Sequence, residues 1–164
     1  MSGYSLIEVV IAAGIIVLVY GIIINCYIQC GLRMQWAGYS LAAQSLAHEQ
    51  VEQARSATWD PAMFPPKNEI TNLNLKAWKY TSGSKTWSGY AVGILDVPYR
   101  GTNYIVATNY VSVQLLDLSV SPPVQVYMVR VDTVWPFQYR AGKNYFTNSC
   151  ATLLAPDNRD RSAL

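Results

Sequence analysis

Val9–Ile24 reads VVIAAGIIVLVYGIII, and how this stretch is read decides the architecture of the whole chain. It forms the centre of a longer run, Val9–Leu32, in which no Lys, Arg, Asp, Glu or His occurs. A helix over such a run rises roughly 36 Å, against a hydrocarbon core of about 30 Å. Its residues are apolar on every side, so no single face is marked for burial against a domain, and lipid is the matching surrounding. A secretory signal peptide fits less well. No Lys or Arg precedes the run, and Asn25-Cys26-Tyr27-Ile28 is not the small-residue context in which such peptides are cut. A plain single-pass anchor accounts for the length but leaves Glu8 unexplained. A carboxylate deep in a bilayer costs up to ~2.5–3.5 kcal/mol, so one placed at the head of a membrane helix calls for a functional reason.

The composition agrees with one apolar segment joined to an ordinary domain. Over the 164 residues 51% are hydrophobic and 13% charged, where a soluble chain carries about 25% charged residues. This excludes an intrinsically disordered protein, which needs the opposite balance. A net charge of +2 gives no firm nucleic-acid signal, and three cysteines do not build a disulfide scaffold. A mean hydropathy of +0.12 is too low for a polytopic membrane protein. The missing charge is local: of the 12 basic and 10 acidic residues, only Glu8 lies before Arg33.

Around that glutamate the residues Gly3-Tyr4-Ser5-Leu6-Ile7-Glu8-Val9-Val10-Ile11-Ala12 closely resemble the N-terminal motif of type IV pilins and type II secretion pseudopilins. The resemblance implies that a prepilin peptidase cuts between Gly3 and Tyr4, removing the leader Met1-Ser2-Gly3, and that Tyr4 is then N-methylated. Tyr4 stands where the family usually has phenylalanine, and the leader lacks the family's usual basic residues. Glu8 would be the fifth residue of the mature chain and would pair with the N-terminal amine of a neighbouring subunit, setting the register of a filament. Elementary electrostatics agrees, because an intramembrane carboxylate is tolerated when a cation offsets its desolvation. The resemblance further implies an inner-membrane protein with its C-terminal domain outward. Its partners would be membrane lipid before assembly, an inner-membrane assembly platform, and copies of itself or other pilins in the filament. No cofactor is implied.

The helix is expected to continue past the bilayer. Leu32, Trp36, Tyr39, Ala43, Leu46 and Ala47 recur at spacings of three and four, with Gln35, Gln44, His48, Glu49, Glu52 and Arg55 on the other face. Trp59-Asp60-Pro61 ends it, and Asn25 occupies the place where many pilins carry a helix-breaking proline. Pro61 to about Asn74 reads as an irregular connection. The remainder is β-type. Strands are expected over Thr86–Leu95, Tyr104–Leu118, Val124–Trp135 and Tyr145–Leu154, with Val111, Val113 and Leu115 on one face of the second and Val124, Val126 and Met128 on one face of the third. Short connections imply an antiparallel meander whose apolar face packs on the helix stripe.

The expected fold class is therefore α+β and pilin-like: a long N-terminal helix over 4–58, with about 9–32 in the membrane or filament core, and an antiparallel β domain over 59–164. No catalytic constellation stands out, and an enzyme is not expected. His48 is the sole histidine, so neither the zinc-protease spacing nor any metal site is assigned. Cys26 and Cys30 read as small apolar residues and Cys150 as a cysteine without a disulfide partner in the domain. Asp157-Asn158-Arg159-Asp160 offers oxygens for calcium, diluted by two arginines. Trp78, Lys79, Tyr80, Lys85, Trp87, Tyr99 and Arg100 interleave aromatic and cationic groups, a pattern that suits DNA or a glycan and equally a solvated strand face. The competing reading is a membrane-anchored periplasmic binding module that does not polymerise.

Overall fold

A single helix opens the chain because nothing in it resists one: no proline occurs before Pro61, and the apolar and Ala-rich segments run on without a turn signal. The computed structural model describes residues 5–61, 64–97, 104–118, 124–139 and 142–156. In it α1 spans Leu6–Ser56, 51 residues without interruption at Asn25. The chain divides into two compact units, Met1–Gly38 and Tyr39–Leu164.

In the first unit α1 turns apolar side chains outward on all sides. Leu6 is 84% exposed and Val17 71% exposed, and no residue of the helix's most apolar window, whose mean hydropathy is 2.8, is buried within the chain. The helix is long and apolar enough to cross a membrane.

In the second unit the last five turns of α1 bury a stripe of small residues, Ala43, Ala47, Val51 and Ala54, at spacings of four, four and three. Small side chains there let a sheet approach the helix backbone. Two two-residue strands follow, β1 (Trp59–Asp60) and β2 (Lys67–Asn68), paired antiparallel. A 3-10 turn over Ile70–Asn72 then drives Ile70 into the core, where it is 1% exposed. The main sheet is built from β3 (Lys76–Thr81), β4 (Thr86–Ile94), β5 (Val106–Leu118), β6 (Val124–Tyr139) and β7 (Gly142–Leu154), each antiparallel to the next in chain order. This is the expected meander, and the α+β architecture of a long helix with an antiparallel sheet on its amphipathic half is that of the pilin-like fold.

Two details depart from the sequence reading. The connection from Pro61 to about Asn74 is not wholly irregular: it contains β2, paired back onto β1, and the 3-10 turn, and β3 follows from Lys76. In β6 it is the alternate set, Tyr127, Val129, Val131, Thr133, Trp135 and Phe137, that turns to the core beneath α1, although Val126 is buried as well and Met128 half-buried. The alternation of β5 fixes this register, because Val113 pairs with Val129 and Val111 with Val131.

The core has two parts. One gathers Ala47, Val51 and Ala54 of α1 with Trp59, Ile70, Val111, Val113, Val129 and Val131. The other sets Ala43 against Leu95, Ala107, Trp135 and Phe137, with Tyr39 edge-on to both aromatic rings at centroid distances of 6.2 and 5.5 Å. Polar groups inside are paired. Thr133 Oγ1 donates to Asn109 Oδ1 at 2.7 Å, and Asn109 Nδ2 donates to the Leu46 carbonyl at 3.3 Å. Trp135 Nε1 donates to Asn148 Oδ1 at 2.7 Å, and Asn148 Nδ2 in turn donates to Ser40 Oγ at 3.0 Å. These bonds tie β5, β6 and β7 to α1.

Candidate functional site

Ser5 precedes the first residue of α1, and the backbone N–H groups of Glu8 and Val9 both reach its carbonyl, at 3.0 and 3.3 Å. The Glu8 carboxylate folds back, and its Oε2 accepts the Ser5 N–H at 3.0 Å. Ser5-Leu6-Ile7-Glu8 thus has the spacing and one of the two reciprocal bonds of a capping box. The carboxylate also lies in the first turn, where the positive end of the helix dipole favours an anion. Ser5 is a residue the sequence reading missed, although Ser-x-x-Glu ahead of an apolar run is a legible helix-start signal. Among the described residues Glu8 has no cationic partner. Gly3 and Tyr4, the expected cleavage and methylation positions, lie outside the described residues.

The other candidates separate. His48 Nδ1 stands 3.6 Å from Cys150 Sγ, bringing together the sole histidine and a cysteine 102 positions away. No sequence signal marks that pair, since it depends on β7 docking beside α1. No third His, Cys, Asp or Glu joins it into a metal-binding group among the described residues. All three cysteines are free. Asp157, Asn158, Arg159 and Asp160 lie outside the described residues, as do Tyr99 and Arg100.

Of the aromatic and cationic set, Tyr80 and Trp87 do meet, with ring centroids 4.5 Å apart. Lys85 is committed elsewhere: its Nζ donates to Asp117 Oδ2 at 2.6 Å, and Gln125 Nε2 donates to Asp117 Oδ1 at 2.9 Å. The Lys85 bond, with help from Gln125, holds the Asp117 carboxyl below its ordinary range, and Asp117 raises Lys85 in return. Near the end of α1, Glu69 accepts from Lys67 and from the Thr58 N–H, and these bonds lower its carboxyl likewise. The cationic side of the pattern is therefore partly neutralised by carboxylates, which weakens it as a phosphate-binding surface. No family of known proteins, no curated protein and no solved structure matches the chain.

Proposed function

We propose that the chain is a structural subunit of a type IV pilus-like filament, a pilin, minor pilin or pseudopilin, held in the inner membrane before assembly and polymerised through α1. The observation that carries the reading is the combination at the N-terminus: a helical segment apolar on all sides, with no residue of its most apolar window buried among the described residues, headed by a single carboxylate. Such a surface needs a cover of lipid or of other helices. In a filament core the neighbouring helices supply the cover, and the amine that cleavage after Gly3 would create at Tyr4 supplies the cation for Glu8. The antiparallel domain on the second half of the helix would form the outside of the polymer. Intact-mass measurement after co-expression with a prepilin peptidase tests the processing step. The expected product lacks Met1–Gly3 and carries a methyl group on Tyr4; an unprocessed chain overturns the proposal.

One observation favours the alternative, an anchored periplasmic binding module. The bond from Ser5 N–H to Glu8 gives the carboxylate a local role that needs no neighbour. Both readings share the membrane helix and differ in whether the charge of Glu8, rather than its capping oxygen, is what matters.

A further inference from the structure

The register of β3 on β4 slips between the pairs Lys76↔Tyr90 and Lys79↔Ser88, so that Ala77 and Trp78 together face Gly89. Trp78 turns towards the helix side, where its Nε1 donates to the Thr71 carbonyl at 2.8 Å. Its ring lies so close over β4 that a Cβ on Gly89 would stand 2.8 Å from Cε3. Ala77 is forced into the left-handed region, with φ of 52°. A non-glycine residue held there is strained, and bulges with such strain gather at functional sites. On the sheet face turned away from α1 the result is a cavity of about 280 Å³.

The lining has a definite chemistry. Tyr90 and Tyr110 face each other across β4 and β5 with ring centroids 6.4 Å apart, inclined at 46°. Ser88, Ser112 and Asp132 supply the polar edge. Asp132 is fixed by two donors on one oxygen, Arg130 Nε at 3.0 Å and Ser149 Oγ at 2.5 Å. Its Oδ2 accepts no hydrogen bond among the described residues, and neither tyrosine hydroxyl makes one. A pre-positioned carboxylate oxygen beside aromatic faces and hydroxyls complements a pyranose ring, which offers an apolar C–H face and an edge of hydroxyl donors. The volume is at the small end for ligand sites and suits one ring. Among the described residues no cation lines the cavity, and the adjacent Arg130 is paired with Asp132, so the lining offers a phosphodiester no unpaired cation and the chemistry disfavours nucleic acid.

We propose that the depression between the β3 bulge and Tyr110 binds a single neutral sugar unit, stacked on the tyrosine rings and held through its hydroxyls by Asp132. The site lies wholly within the β domain and stands whether or not the chain polymerises. The test uses the full chain in phosphatidylcholine nanodiscs, since glycoside detergents would compete. Saturation-transfer difference NMR is recorded with the methyl glycosides of glucose, galactose, mannose and N-acetylglucosamine, and separately with an oligothymidine. Tyr110→Ala truncates a side chain of a half-exposed residue, and Asp132→Asn keeps the shape; Val92→Ser, on the same face of β4 but outside the cavity, is the control. The expected result is transfer to at least one glycoside, weakened about tenfold in Tyr110→Ala and in Asp132→Asn, and unchanged in Val92→Ser. Denaturation midpoints close to that of the parent chain show that the variants fold. Absence of transfer from all four glycosides, full transfer surviving in either site variant, or transfer to the oligothymidine alone would overturn the proposal.

Discussion

Glu8→Gln separates the two readings of the N-terminus, because the cap and the charge ask different things of the same side chain. The cap needs an oxygen that accepts the Ser5 N–H at 3.0 Å, and glutamine supplies one as the capping box allows. What the monomeric helix loses is the interaction of one negative charge with the helix dipole, about 0.3–1 kcal/mol. The proposed inter-subunit pair would lose far more. A carboxylate and an amine about 4 Å apart at an effective dielectric constant of about 20 attract by roughly 4 kcal/mol. That is close to three orders of magnitude in an association constant. The expected outcome is a chain with unchanged helix content by circular dichroism, processed after Gly3, whose yield of sheared filaments in a host with an assembly system falls at least tenfold. Glu8→Ala removes the cap as well and lowers both readouts. Filaments at parental yield from Glu8→Gln would refute the pairing argument and leave Glu8 as a cap on an anchor helix.

Further tests address the β domain. Gly89→Ala places a Cβ 2.8 Å from the Trp78 ring and 3.1 Å from the Lys76 carbonyl, so it should lower stability by about 1–3 kcal/mol, whereas Gly142→Ala meets nothing within 4 Å and should leave the urea midpoint nearly unchanged. Asn109→Ala strands the Thr133 hydroxyl in the core and should cost about 1–3 kcal/mol in urea denaturation, with Asn109→Ala/Thr133→Val recovering part of it. The Lys85–Asp117 pair gives a pH window with a definite sign. Depression of the Asp117 carboxyl adds stability that is present above the ordinary carboxylate range and lost as pH falls through its lowered folded value; the raised Lys85 ammonium adds stability that is present below the ordinary lysine range and lost as pH rises through its raised folded value. Lys85→Met should therefore flatten both limbs of a plot of tryptophan-monitored denaturation midpoint against pH, and an unaltered acid limb would refute the assignment.

The parts of the fold legible in the sequence are those where one physical requirement acts alone. The charge-free run and the stripe through Ala43 and Ala47 are set by solvent and by helical spacing, and both were readable; so were the four long strands, whose edges fall within a few residues of the expected ones. Which face of β6 meets α1 is not legible, because Val126 and Met128 are as apolar as Val129 and Val131, and period two alone cannot choose between the two sets. Pairing with β5 makes the choice. β3 escaped for a similar reason. Lys76 and Lys79 mask its one inward anchor, Trp78, and the bulge at Ala77 breaks the alternation by which a strand is recognised. The contact of His48 with Cys150, like the cavity under Tyr110, exists only after strands distant in sequence are brought side by side.

The same helix meets two different demands, and the residues change where the demand does. From Tyr39 onward α1 alternates small buried residues with exposed polar ones, the pattern of a helix held by a sheet on one side and water on the other. Over Val9–Ile24 the pattern is absent, and Leu, Ile and Val occupy every side. An isolated soluble domain gains nothing from such an extension, since leaving it in water would expose apolar surface at about 25 cal/mol for each Å². The extension makes sense only if its cover comes from outside the chain. Lipid alone would be satisfied by the apolar run with no carboxylate at its head; Glu8 caps the first turn through Ser5, and in the proposed filament a neighbour's amine would in addition offset the penalty a bilayer places on its charge.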